Sequence, residues 1–359
     1  MVRALEFYSG IGGLHLALAQ SKKVKGSVVR AFDWDQAACR VYAANHGQKD
    51  IVRKVDISSL TAKELAELDV QLWLLSPSCQ PYTVLNPLAK GAEDPRAKSF
   101  IRLVEDVLPE LVRMRVHPRC MLVENVAGFE TSSTRIRLLT TLKNLGYSTV
   151  ELLLTPLQFG IPNSRLRYYL LAKSDSMRFP HVDELQERVW RHIPGHGHDW
   201  TDTRTYGEGE VVDAPVAALR EYLDDDIHVS PHPHAIPEKV LEKWGRLFDI
   251  VLPSATRTCC FTRGYTKLVE RAGSILQENE ELDREGHDDA VRLLEPLRLR
   301  YFSPTELLRL SGFFPTRKET GARVDFVWAE DISTKTKYKL IGNSVNVRVA
   351  KELIDYLFE

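Results

Sequence analysis

Cysteine is scarce in this chain, and what there is does not pair. The five cysteines among 359 residues (Cys39, Cys79, Cys120, Cys259 and Cys260) are odd in number and irregularly spaced, with no pair of CxxC motifs. This argues against a disulfide framework and a zinc knuckle, and favours a reducing compartment, cytoplasmic or nuclear. Long apolar runs are missing too. None approaches the ~18 residues that a membrane span needs, and the opening MVRALEFYSGIGG has no charged-then-apolar leader. A soluble protein, neither secreted nor anchored, is expected. Nor is there an excess of positive charge: 48 Lys and Arg face 49 Asp and Glu, for a net charge of -1. Any polyanion must therefore be met by a local basic patch. With no internal repeat and no low-complexity segment, the chain reads as ordinary globular protein, 43% hydrophobic and 27% charged. Its length suits one large α/β domain with a smaller appended one, and a monomer is expected.

Residues 1 to 175 alternate short apolar runs with amphipathic stretches, which predicts a βαβ series around a mostly parallel sheet. Strands are expected at Ala4–Tyr8, Val28–Asp33, Val70–Ser76, Cys120–Glu124 and Arg167–Lys173, and helices at Gly13–Gln20, Gln36–Asn45, Ser99–Met114 and Ser133–Asn144. After about Lys173 the texture changes to loops rich in His, Pro, Gly and Asp, read as a smaller domain over 176–297. Two HxxxHxH sets lie there, His192/His196/His198 and His228/His232/His234. No cysteine completes a tetrahedral set beside them, so no metal is expected. The acidic run Gln277–Glu285 reads as a solvated helix face or loop. Order returns over 298–359, with a helical ELLRLSGF segment and an amphipathic stretch from Asn346 to Phe358 that is expected to pack back on the N-terminal sheet.

The first strand runs into Phe7-Tyr8-Ser9-Gly10-Ile11-Gly12-Gly13-Leu14, where glycines let the backbone turn tightly and come close to a ligand. Such a loop serves a nucleotide, a dinucleotide or S-adenosylmethionine (SAM). No Walker lysine follows, and the last glycine of the dinucleotide fingerprint is absent. The second strand ends in Asp33-Trp34, a carboxylate for a ribose diol and an indole for an adenine. The third offers Asp56-Ile57, with an acid for the adenine amino group. A nucleoside without phosphate fits this set, hence SAM. Asp33 and Asp56 as helix caps, and Trp34 as core, are the plainer alternatives.

The stretch Leu74-Leu75-Ser76-Pro77-Ser78-Cys79-Gln80-Pro81-Tyr82-Thr83 sets a lone thiol between prolines after a buried strand. FYSGIGG, PSCQPYT, ENV, QFGIPNSRLRY, YFSPTELLRLSGF and IGNSV follow the order and spacing of the cytosine-5 methyltransferase motifs, and the resemblance covers nearly the whole chain. DPRAKSF, ENVAGFE, IPNSRLRYYLLAK and above all CCFTRGY (259–265) resemble the tRNA branch, the type 2 DNA methyltransferase homologues that methylate an anticodon-loop cytosine.

The resemblance implies a Rossmann-like catalytic domain, a target-recognition domain and a C-terminal segment completing the SAM pocket, adding Pro77, Asn343, Ser344 and Val345 to it. It implies that Cys79 adds to carbon 6 of cytosine, making carbon 5 nucleophilic, and that Glu124 shares a proton with N3. Arg165 and Arg167, alternating on an extended segment, would hold the base carbonyl or a phosphate. Methyl transfer would leave S-adenosylhomocysteine, and loss of the carbon 5 proton would expel Cys79. The expected substrate is tRNA, tRNA-Asp foremost, with DNA as a weaker or alternative one. A SAM- and RNA-binding scaffold without turnover is the reading from another class, against which the presence of Cys79, Glu124 and both arginines speaks. Two departures from the family pattern stand out. Ser78 replaces a second proline and should loosen the thiol's loop, and Val84 follows the threonine where an arginine-like residue is usual. RMRVHPR (113–119), RLRYY (165–169) and RLRYF (298–302) are the candidate RNA-binding stretches.

Overall fold

The computed structural model describes residues 1–47, 50–82, 91–174, 177–182, 188–203, 210–225, 232–268, 272–279, 294–316 and 326–359. Thr83, Val84 and His228 lie outside them, as does most of the acidic run. In chain order the first part comprises β1 (Val2–Phe7), α1 (Gly13–Ala19), β2 (Gly26–Asp33), α2 (Gln36–Asn45), β3 (Val52–Lys54), α3 (Ala62–Ala66) and β4 (Leu72–Leu75). A helical run follows as α4 (Lys98–Arg102), a π-helical stretch at Leu103–Val107 and α5 (Leu108–Arg113). Then come β5 (Cys120–Val126), α6 (Ser133–Asn144), β6 (Ser148–Leu154), β7 (Arg167–Lys173) and β8 (Val189–Trp190).

These strands form one eight-stranded sheet in the order β3-β2-β1-β4-β5-β7-β6-β8. Side chains alternate across a strand, and here the alternation sorts them into two apolar layers. Ala4, Leu72, Leu74, Cys120 and Leu122 face α1 and the C-terminal helices. Leu5, Phe7, Trp73, Leu75, Met121 and Val123 face the run from Phe100 to Leu111 and α6. Strands buried on both faces need continuous apolar sequence, which Leu72–Leu75 supplies.

Two topological features position the site. The strand order reverses between β1 and β4, so the loops that follow these strands diverge and open a crevice at the carboxyl edge. Strand β7 then runs antiparallel between β5 and β6, with Val126 opposite Arg167 and Glu124 opposite Tyr169. Its reversal delivers the start of β7 to the edge where β1, β4 and β5 end.

The expected strands and helices are present, α2, α6 and β7 at their expected bounds and the others with shifted ends. β3 closes at Lys54, so Asp56 lies just past the strand rather than in it. β6 is unassigned from sequence because its ELLL run suits a helix equally well. β8 joins the main sheet although it lies beyond residue 175.

Past the main sheet lie a two-stranded pair, β9 (Thr201–Asp202) and β10 (Glu210–Val211), then α7 (Glu238–Trp244), and then a three-stranded sheet of β11 (Ile250–Val251), β12 (Ile275–Gln277) and β13 (Leu299–Arg300). The acidic run thus begins inside β12. Its Glu278 is no solvated face but a buried partner of Arg300, at 2.8 Å. Arg300 also grips Glu306 through two 2.8 Å bonds, tying this sheet to α8 (Pro304–Leu310). Two further helices, α9 (Thr334–Gly342) and α10 (Val347–Leu357), bring the chain back, and α10 packs on α1. Among the described residues no helix is long and apolar enough to cross a membrane.

Replacing Arg300 by Met would leave Glu306 and Glu278 buried without their cation. Breaking a buried pair from one side costs about 3–5 kcal/mol. The expected result is a loss of that size in denaturant-induced unfolding; a loss under about 1 kcal/mol would show that the carboxyls find other partners.

Candidate functional site

The carboxyl ends of β1, β4 and β5 and the start of β7 bring together the glycine loop, Cys79, Glu124 and Arg167. The loop carrying Cys79 is tied at its root. The Ser76 N–H donates to the Phe7 carbonyl at 3.3 Å, the Ser76 hydroxyl to the Tyr8 carbonyl at 3.0 Å, and the Asn125 amide to the Pro77 carbonyl at 3.2 Å. Asn125, the middle residue of ENV, thus anchors the residue before Ser78 and supplies hydrogen-bonded restraint where a second proline is missing. Cys79 itself is half-buried. Burial pushes its thiol up; Arg167, Arg165 and Arg263 pull it down, Glu124 opposes them, and the balance is upward.

Glu124 is buried near the end of β5, and burial raises its carboxyl against the pull of Arg167, whose Nε lies 3.4 Å from Oε1. A carboxyl held above its usual range and facing a guanidinium is suited to hold or share a proton.

The two arginines differ. Arg165 is fully enclosed and donates to the backbone carbonyls of Phe261 at 2.9 Å, Gly342 at 3.1 Å and Ser344 at 2.5 Å. It ties its own segment to those around 261 and 342–344. Arg167 is the one that faces Glu124. Both also reach the sulfur of Cys260 at 3.5 Å. Asn163 of IPNSR supports the same arrangement, donating to Thr258 Oγ1 and the Cys259 carbonyl at 3.0 Å.

On the cofactor side, Asp33 accepts from the Gly10 N–H and the Asp35 N–H, each at 2.8 Å, and so shapes the glycine loop. Burial raises its carboxyl. Trp34 is 71% exposed, an indole with no ring or hydrogen-bond partner among the described residues, next in sequence to Asp33, which bonds the loop. Asp56 is exposed, and its carboxylate caps a short turn by accepting from Ser58 N–H at 2.9 Å, the plainer alternative for this residue. The side chains of Phe7, Ile11, Leu14 and Ile57 are buried. Ser344 and Val345 lie directly on Gly13, where an added Cβ would sit 2.7 Å from Val345 Cγ2. Gly342 is as tightly met: its Cβ would come 2.3 Å from the backbone of Thr262 and Arg263. Asn343, exposed, ends α9.

A SAM-type nucleoside fits this cradle. The Ser9 hydroxyl is buried there with no hydrogen-bond partner among the described residues, an orphan that a polar ligand would satisfy. The exposed indole of Trp34 offers the stacking face an adenine needs.

The three Arg-rich stretches lie in different settings. In RLRYY, Arg165 and Arg167 are part of the site, and Tyr168 and Tyr169 are core. In RLRYF, Arg300 and Phe302 are buried. RMRVHPR precedes β5 and therefore lies at the opposite edge of the sheet. Of the histidine sets, His192 pairs with Asp199 at 2.7 Å and His196 with Glu359 at 3.0 Å. Among the described residues no group of His, Cys, Asp and Glu could hold a metal ion.

Comparison with known proteins bears on the family and the fold. Residues 2–359 match the family model described as C-5 cytosine-specific DNA methylase. A Schizosaccharomyces pombe protein named tRNA (cytosine(38)-C(5))-methyltransferase is 37% identical over 359 residues, covering 100% of this chain and 97% of the relative. A Dictyostelium discoideum protein named DNA (cytosine-5)-methyltransferase is 32% identical, covering 99% and 94%. The crystal structure of the S. pombe Dnmt2 methyltransferase superposes with a TM-score of 0.76 at 36% identity, over 99% of this chain and 98% of that one.

One buried cluster beneath the glycine loop has a measurable signature. Glu6 accepts from the Tyr42 hydroxyl at 2.7 Å and from the His15 N–H at 3.3 Å, and burial raises its carboxyl to about 8. The folded state therefore keeps a proton that the unfolded chain releases near 4.5. Between these values the folded state holds more protons, so this group's contribution to stability falls as pH rises through the window. Glu6→Gln should flatten the decline in unfolding free energy between pH 5 and 8; an unchanged slope would mean that Glu6 is ionised in the folded protein.

Proposed function

We propose, for a chain that belongs to the C-5 cytosine-specific DNA methylase family, that it transfers a methyl group from SAM to carbon 5 of a cytosine in the anticodon loop of tRNA. Position 38 of tRNA-Asp is the foremost target. The observation that carries this reading is the convergence of a thiol, a raised carboxyl and a guanidinium at one sheet edge, beside a glycine loop with an exposed indole.

Cytosine carbon 5 is a weak nucleophile. The sulfur of Cys79 adds at carbon 6, and the ring's electrons shift toward N3 and O2. Glu124, whose carboxyl burial raises against the pull of Arg167 and Arg165, shares a proton with N3 and lets that charge form. Arg167 stands against Glu124 and orients it, while Arg165 keeps the surrounding backbone closed. SAM, when bound, supplies the methyl group that carbon 5 takes. Solvent then takes the carbon 5 proton, N3 returns its proton to Glu124, and the ring is restored as Cys79 leaves as a thiolate. Glycine-loop residues 9–14, Asp33, Trp34, Asp56, Pro77 and 343–345 are assigned to the cofactor cradle. Residues 1–175 are the catalytic part, 176–297 target recognition, and 298–359 the returning segment.

Attack at carbon 6 requires the base outside its stack, which costs a few kcal/mol from a duplex and less from a loop. A net charge of -1 gives no broad basic surface for duplex DNA, whereas a folded RNA can be read by shape and 2′-hydroxyls. The D. discoideum relative's name keeps DNA as the second reading.

Cys79→Ala should abolish methylation of tRNA, read by bisulfite sequencing, while SAM still binds in calorimetry. Wild-type methylation by that variant would rule out covalent catalysis through Cys79. In single-turnover assays at one fixed salt concentration, a tRNA transcript should be methylated faster than its deoxy counterpart and than a duplex of the same local sequence. Faster turnover of the duplex would replace the RNA assignment with the DNA one.

A further inference from the structure

Arg165 and Arg167 bring two guanidinium groups into one buried site, each disfavouring the other's charge. Neutral carbonyls fix the orientation of Arg165 but cancel none of its charge. The acidic groups facing the pair are Glu124, Cys79 and Cys260; the Tyr169 phenol beside Arg165 is pushed far up by burial and so stays neutral. In the reaction proposed above the first two give up negative charge: Glu124 carries a proton for N3, and the sulfur of Cys79 becomes a neutral thioether on carbon 6. Cys260 alone keeps its place, with Arg165 Nη1 and Arg167 Nη2 both 3.5 Å from its sulfur.

We propose that Cys260 is a positioning residue whose sulfur, as the standing counter-anion of Arg165 and Arg167, lets Glu124 hold its proton and Cys79 pass its charge to the ring. Burial alone would raise the Cys260 thiol, but Arg167 and Arg165 take it below the ordinary thiol value. Cys79, which faces Arg167, Arg165 and Arg263 but also Glu124, stays above it. The adjacent Cys259 has no such setting: burial and Asp249 push its thiol up to about 12. Of the two neighbours in CCFTRGY, only the second meets the arginines.

The inference rests on the methyltransferase reading and is tested in the full-length protein with SAM and tRNA. Cys260→Ser keeps the shape of the side chain and removes its ionisation, and should lower kcat at least about tenfold with little change in KM or melting temperature. Removing the anion leaves the arginines less compensated, so they favour the ionised forms of Glu124 and Cys79. The activity that needs protonated Glu124 is then lost at lower pH, and the thiolate of Cys79 forms at lower pH. Both limbs of the pH profile should move toward acid. Cys260→Asp, a worse packing match that restores the charge, should recover activity and return the profile.

A separate measurement needs no variant at 260: in Cys79→Ala, ultraviolet absorption should report a thiolate at neutral pH that disappears on acidification. Cys260→Ser with wild-type rate and profile, Cys260→Asp no better than Ser, or the absence of a thiolate at neutral pH would each overturn the proposal. Should Cys260→Ser fail to fold, the thiolate titration decides. Full activity of Cys79→Ala would instead defeat the methyltransferase mechanism itself, a distinguishable failure.

Discussion

A buried cation without counter-charge or acceptors is among the costliest things a fold can contain, and Arg165 is where this structure meets that constraint. Its donors reach segments around residues 261 and 342–344, so the segment before β7, the CCFTRGY loop and the IGNSV turn have to meet at one point. Around that point the backbones approach so closely that Gly342 has no room for a side chain. Val345 and Ser344 continue the contact to Gly13, so the guanidinium, the catalytic-edge loops and the glycine loop form one connected assembly. The position of Glu124 against Arg167 depends on this assembly, since the two arginines are two residues apart on the same extended segment.

The antiparallel β7 makes the meeting feasible. In an all-parallel sheet the start of a strand lies at the opposite edge from the ends of its neighbours. Reversing β7 sets Arg167 beside Val126, within reach of Glu124 two residues earlier. The Cys79 loop then needs only the short span from Leu75 at the end of β4, and Asn125 holds it by the Pro77 carbonyl. A strand order and one amide thus place the thiol, acid and cation together, with little demanded of the loops themselves.

Much of this was legible in the sequence, for identifiable reasons. Helices α2 and α6 matched their expected bounds because Asp35 and Ser132 cap them and the apolar spacing between is regular. Strand β7 matched because RYYLLAK is too apolar for a surface loop. Cys79, Glu124 and Arg167 were found through motifs and then met in space. The misreadings share a cause. Arg-rich stretches suggested surface, yet Arg300 and Arg165 are buried, because a guanidinium with five donors can be satisfied inside by carboxylates and carbonyls that no local window reveals. The same holds for Glu278, whose partner lies in another strand. Asp56 shows the opposite case: a locally readable cap accounts for one of its oxygens. Cys260 stood in a quoted signature, but its contacts with Arg165 and Arg167 span 95 and 93 residues and are visible only in three dimensions.

The return of the chain's last helices also bears on how such a protein is made. Arg165 and the Ser344 carbonyl are separated by 179 positions, and α10 covers the outer face of α1 only after everything between has been synthesised. During translation the central sheet can assemble first, since most of its pairings are between near neighbours in the chain. Through that interval Arg165 lacks two of its three carbonyl partners, and the apolar face of α1 has no cover. The nascent chain therefore emerges with its thiol-bearing edge incomplete and an apolar surface uncovered, the kind of transient species that is prone to aggregate. That edge is completed only when residues 342–357 dock.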